Sequence, residues 1–218
     1  MMIQLAFDRM TIDEAIQLGQ RVREYVDWME VGTSLIKEFG MESIKALREA
    51  FPDKTIVADM KTFDNARYEF DLCYASGADV ATVMGAAPTV TIDVCMEVAA
   101  QRGKRVMVDL LNTPVPHLES IYRYKEAILC AHVSKDQQEI AGERQSLEWL
   151  TQIQRIGTDG PRLALAGGIT ADDLFALSRV KPYVVIIGSA ITNAEDPVAQ
   201  ARKIRETADA LKGEMLCE

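Results

Sequence analysis

Thr55-Ile56-Val57-Ala58-Asp59-Met60-Lys61-Thr62-Phe63-Asp64 runs from four strand-forming residues into two acids and a lysine. The first four residues predict a strand, and a helical pattern starts near Asn65. Side chains two apart on a strand share a face, so the spacing points Asp59 and Lys61 the same way. Acids and a lysine at the carboxyl end of a buried strand are costly unless paired, hydrated or bound to a metal. Those ends are where α/β barrels and sheets keep their active sites. Taken alone, a D-x-K-x-x-D stretch is most simply a solvated turn. The rest of the chain decides between the two readings.

Outward from this stretch, short apolar runs alternate with amphipathic helical patterns. The strand candidates are Ile3–Asp8, Val26–Val31, Thr55–Met60, Val80–Met84, Arg105–Leu110, Ala127–Val133, Arg162–Ala166 and Val184–Ile187. Between them, Ile12–Glu24 and Ser34–Ala50 carry apolar residues at helical spacing. Thr11 with Glu14, and Thr170 with Asp173, have the form of capping boxes. Such alternation implies right-handed βαβ units and a parallel sheet. Eight units in 218 residues predict one (β/α)8 barrel domain spanning residues 1–218. A doubly wound open sheet is the alternative, but no G-x-G-x-x-G follows the first strand.

The formal net charge is −9, with no basic cluster on any predicted face. This argues against a nucleic acid or an anionic membrane as partner. No signal peptide pattern opens the chain and no apolar run approaches ~20 residues, so the expected compartment is the cytoplasm. Cys73, Cys95, Cys130 and Cys217 form no C-x-x-C pair, which leaves zinc and redox motifs without support. The first three fall in predicted core elements and read as inert thiols.

The predicted strands end in Asp8, Glu30, Asp59 with Lys61, Gly85, Asp109, His132, Gly167-Gly168 and Gly188-Ser189. On a barrel these ends converge on one mouth. Any single one could be a helix cap; the set points to a site. Glu30 and Asp59 are hard oxygen ligands on adjacent strands and suit Mg2+, with water and substrate completing its shell. Lys61 beside them should stay protonated. His132 reads as an acid/base residue and His117 as structural. Gly168, Gly188 and Ser189 lie after strands seven and eight, where barrels of this kind bind phosphate through backbone N–H groups.

Several stretches together resemble the orotidine 5′-monophosphate decarboxylase suprafamily. They are Gln4–Asp8, Glu30–Thr33, Ala58–Asp64, Gly77–Asp79, Ala166–Ile169 and Val185–Ile191. Within it the chain is similar to 3-hexulose-6-phosphate synthases and 3-keto-L-gulonate-6-phosphate decarboxylases. An acid at Glu30, where orotidine decarboxylases place a lysine, implies the Mg2+-dependent branch. Thr82–Gly85 and Val108–Leu110 look more like the synthases. His132–Lys135 departs from both patterns, and Lys135 stands where the decarboxylases have an arginine. The resemblance implies a lyase that condenses formaldehyde with ribulose 5-phosphate, reversibly, through an enediolate stabilised by Mg2+. The alternatives are the decarboxylase and a phosphosugar-binding protein without turnover. In the implied mechanism Lys61 stabilises the enediolate oxygens, His132 moves the proton at carbon one, and Asp8 and Asp109 orient hydroxyls. Lys135 joins Gly168, Gly188 and Ser189 as a substrate-binding candidate. Asp64 enters the partner's site across a homodimer interface.

Overall fold

The computed structural model describes residues 1–142, 150 and 161–214. Cys217 and the end of the predicted domain lie outside them. The eight predicted strands form a closed parallel barrel in chain order. They are β1 (Met2–Phe7), β2 (Trp28–Val31), β3 (Thr55–Thr62), β4 (Val80–Met84), β5 (Arg105–Asp109), β6 (Ile128–His132), β7 (Arg162–Ala166) and β8 (Val184–Ile187). Among the helices around them are α1 (Ile12–Val22), α2 (Thr33–Phe39), α3 (Met41–Ala50), α4 (Ala66–Ala75) and α5 (Thr89–Arg102).

Period-two alternation builds two layers from every strand. Residues such as Leu5, Met29, Ile56 and Val185 point outward into the core shared with the helices. Trp28, Val57, Val80, Met107, Ile128 and Val184 fill the barrel interior. The amino end is closed by Arg105 over Trp28 and Arg162 over Tyr183, each guanidinium 4.6 Å from the ring centroid. The polar members of the inward set therefore gather at the carboxyl end.

Two local predictions needed correction. The helix expected over Ser34–Ala50 is two helices, broken at Gly40 with φ of +61°. A residue in the left-handed region cannot continue a right-handed helix, and glycine adopts it without steric cost. Strand β3 runs two residues past Met60, to Thr62. Its carboxyl part is not a regular strand. Ala58 pairs with Ala81 and Thr62 with Val83, so Asp59, Met60 and Lys61 all face the single residue Thr82. This is a bulge, and Lys61 within it has φ of +50°. Both capping boxes are present: Thr11 and Glu14 open α1, and Thr170 and Asp173 open the 3-10 turn Ala171–Asp173. Among the described residues no helix is long and apolar enough to cross a membrane.

Candidate active site

A cavity of about 610 Å3 opens at the carboxyl mouth, lined by Asp8, Glu30, Asp59, Lys61, Asp109 and His132 among others. A continuous polar chain crosses its floor. Lys61 Nζ lies 2.8 Å from Asp59 Oδ2 and 2.9 Å from Asp109 Oδ2. His132 Nδ1 lies 2.9 Å from the same Asp109 oxygen. Asp109 Oδ1 accepts a hydrogen bond from the Leu111 amide at 2.9 Å. Burial pushes the Asp109 carboxyl up, but the His132 and Lys61 contacts outweigh it and hold the group well below the usual carboxylate range. Burial likewise disfavours the Lys61 ammonium, and Asp59 and Asp109 more than restore it, so Lys61 is charged at any physiological pH. Asp109 occupies Nδ1 of His132, a residue that lines the cavity, and Nε2 is its second ring nitrogen.

Asp59 is gripped from three sides. Thr33 Oγ1 donates to its Oδ2 at 2.6 Å, Thr82 Oγ1 to its Oδ1 at 2.9 Å, and Lys61 spans both oxygens. Glu30 is different. It is 7% exposed, and its hydrogen bond comes from Gln4 Nε2. Burial first, then repulsion from Asp59 and Asp8, pushes its carboxyl up to about 8. On the cavity floor Asp59 and Asp109 share Lys61, while Glu30 lies beside the acids Asp59 and Asp8. Glu30 and Asp59 would gain from a hard divalent cation, and two protein ligands leave room for water and substrate oxygens. Among the described residues no group of three or more His, Cys, Asp or Glu is placed to hold a metal ion by itself. Were a divalent cation bound here, Glu30 and Asp59 would be its protein oxygen donors and water or substrate would supply the rest.

Asp8 lines the mouth and also caps α2, accepting from the Ser34 amide at 3.0 Å and its hydroxyl at 2.6 Å. The turns after β7 and β8 bring Gly167, Gly168, Gly188 and Ser189 to the same mouth, with β8 paired beside β1. Gly167 and Gly168 have φ of +110° and +64°. Lys135 Nζ lies 3.4 Å from Ser189 Oγ, against the predicted phosphate turn. Asp64 does not join the others. It is exposed, accepts from the Asn65 amide at 2.7 Å, and takes no part in lining its own chain's cavity. Among the described cysteines, burial pushes the Cys73 and Cys95 thiols up to about 12 and that of Cys130, which borders the cavity, well above its ordinary value.

Sequence reading missed Gln4, Thr33 and Thr82. The signal was present for two of them. Gln4 is the polar residue of Ile3–Phe7, and Thr82 that of Val80–Met84. A polar residue inside a strand that is otherwise apolar calls for a partner.

A closed parallel barrel with its ionisable side chains gathered at the carboxyl mouth defines the class, a (β/α)8-barrel enzyme. Residues 1–204 match the model of the Orotidine 5′-phosphate decarboxylase / HUMPS family, and the chain belongs to that family. It is 36% identical over 210 residues to a 3-hexulose-6-phosphate synthase of Bacillus subtilis (strain 168), covering 94% of this chain and 98% of that one. The crystal structure of 3-hexulose-6-phosphate synthase from Salmonella typhimurium superposes with a TM-score of 0.91 at 35% identity, covering 97% and 100% of the two chains. The crystal structure of KGPDC from Streptococcus mutans in complex with a phosphosugar gives 0.88 at 26% identity, covering 96% and 98%. The protein is accordingly a lyase.

Proposed function

We propose that this protein condenses formaldehyde with D-ribulose 5-phosphate to give 3-hexulose 6-phosphate, and catalyses the reverse cleavage. The observation that carries the reading is the Asp59–Lys61–Asp109–His132 chain on the cavity floor. The names of its synthase relatives support it. Asp109 orients His132, and His132 Nε2 takes the proton from carbon one of the ketose. Lys61 has three N–H donors and is already aimed between two carboxylates. A remaining donor meets the negative charge that develops on the adjacent oxygens. Carbon one then attacks the formaldehyde carbon, the C=O π bond opens to an alkoxide, and the alkoxide takes the proton that His132 removed. Glu30 and Asp59 would hold Mg2+, which supplies further neutralisation of the enediolate charge when bound. Asp8 orients sugar hydroxyls. Gly168, Gly188, Ser189 and Lys135 take the phosphate, in keeping with the phosphosugar bound by the Streptococcus mutans relative.

Decarboxylation of 3-keto-L-gulonate 6-phosphate is the second reading, favoured by the likeness to the Streptococcus mutans KGPDC and its bound phosphosugar. It would use the same charge-stabilising floor. Comparing kcat/KM for the two reactions with Mg2+ present decides between them. A larger value for decarboxylation would overturn the aldol assignment, and no turnover of either substrate would leave a phosphosugar-binding protein.

We further propose a homodimer in which Asp64 completes the partner's site. Its exclusion from its own cavity supports this, as does the exposure of Phe63 beside it and of Tyr68 on α4.

A further inference from the structure

We infer that Thr82 is a positioning residue for the reaction proposed above, on which the inference rests: one buried hydroxyl ties together the two ends of the β3 bulge. The bulge sets three residues, Asp59, Met60 and Lys61, against Thr82 alone. It also costs Lys61 a backbone conformation that side chains other than glycine's rarely adopt, with φ of +50°. Such a conformation persists only where its surroundings hold it. The Lys61 amide, displaced from the ladder, donates to Thr82 Oγ1 at 2.9 Å. A hydroxyl has one hydrogen. With that amide occupying the acceptor side, the Thr82 hydrogen goes to Asp59 Oδ1 at 2.9 Å.

Both roles of the hydroxyl are therefore used within the protein. Thr82 is 3% exposed, and its hydrogen is committed to Asp59. Although Thr82 borders the cavity, its hydroxyl is already engaged on both sides, so it acts on the substrate through Lys61 and Asp59. The amide bond fixes where the Lys61 side chain begins, and the carboxylate bond fixes the rotation of Asp59. Together they set the ammonium between Asp59 and Asp109. A valine in this place would have nearly the same shape and neither bond. The Lys61 backbone would be free to leave the left-handed region, and the ammonium would shift. Misplacement by about 1 Å costs on the order of 100-fold in rate.

The test compares wild type with Thr82→Val and Thr82→Ser. The expected result is a Thr82→Val protein with native circular dichroism, kcat lowered about 30- to 100-fold and KM for the phosphosugar within about threefold of wild type. Thr82→Ser, which keeps the hydroxyl, should return kcat to within about threefold of wild type. A Thr82→Val enzyme within about twofold of the wild-type kcat, or a Thr82→Ser enzyme as impaired as Thr82→Val, would overturn the inference. Thr82→Ala replaces Thr82→Val if the latter fails to fold; failure of both would assign the hydroxyl to folding alone and also overturn it. If wild type turns over neither substrate, the reaction proposed above fails by itself. Thr82 is then decided by the crystal structure of Thr82→Val, where Lys61 still at positive φ with Nζ between Asp59 and Asp109 rejects the role.

Discussion

Among the described residues Glu30 is the buried acid that no cationic side chain contacts directly, and its chemistry gives two predictions. In the metal-free protein its carboxyl is pushed up to about 8 from an ordinary 4.5. The folded state then holds this proton more tightly than the unfolded chain. Its contribution to stability is full below about pH 4.5 and is lost as pH rises through about 8. Asp109 has the opposite sign: held low when folded, it stabilises above the ordinary carboxylate range and loses that contribution as the pH falls. Thermal melts in EDTA should therefore show Tm declining from about pH 5 to about pH 9, and Glu30→Gln should flatten that decline. An unchanged slope in Glu30→Gln would place the titration elsewhere. The same substitution should leave a stable protein of little activity. Glu30→Gln and Asp59→Asn should each weaken Mg2+ binding, measured by calorimetry, at least about tenfold, with turnover falling in parallel. Full wild-type activity in excess EDTA would remove the metal from the mechanism.

Turns and bulges, more than the strands, set the shape of the mouth. Gly188 opens the turn after β8, and a Cβ there would meet nothing closer than the Ala6 carbonyl at 3.5 Å, an ordinary contact. Gly188→Ala should thus fold with an unchanged Tm yet raise KM for the phosphorylated ketose severalfold, since a methyl group enters the space proposed for phosphate. Gly188→Asp should raise it further by like-charge repulsion. Unphosphorylated ribulose should be a very poor substrate of wild type, and comparable kcat/KM for the two sugars would refute the phosphate assignment. Gly40 is the contrasting case. A Cβ there meets no atom, but φ of +61° makes Gly40→Ala cost about 1 kcal/mol through backbone strain alone. Chemical denaturation reads that loss, which should leave kcat untouched.

The proposed dimer is tested at the scale of the whole molecule, since Asp64 does not line its own chain's cavity. Asp64→Asn and His132→Ala should each be nearly inactive alone. Mixed and re-equilibrated, half of randomly paired dimers carry both chains, and each such dimer has one site free of both lesions. Activity should recover to about a quarter of wild type under a symmetric interface with independent sites. No recovery despite verified subunit exchange would take Asp64 out of the partner's chemistry.

Eight alternating strands, the barrel and the acids at the strand ends were legible in the sequence, because period-two burial and the location of strand ends are local properties. So were both capping boxes, each a contact spanning three residues. The division of Ser34–Ala50 turned on the conformation of Gly40, which hydrophobic spacing does not record. The agreement of Asp59 and Lys61 in direction was expected from strand alternation. It is instead produced by a bulge and a left-handed lysine, held by a threonine 21 residues away along the chain. Lys61, Asp109 and His132 could be placed at one end of the barrel but not in contact. Only closure of the barrel brings β3, β5 and β6 within hydrogen-bonding distance, makes Asp109 the shared partner of a lysine and a histidine, and leaves Glu30 buried beside other acids. Those properties depend on distances between segments remote in sequence, and folding alone sets such distances.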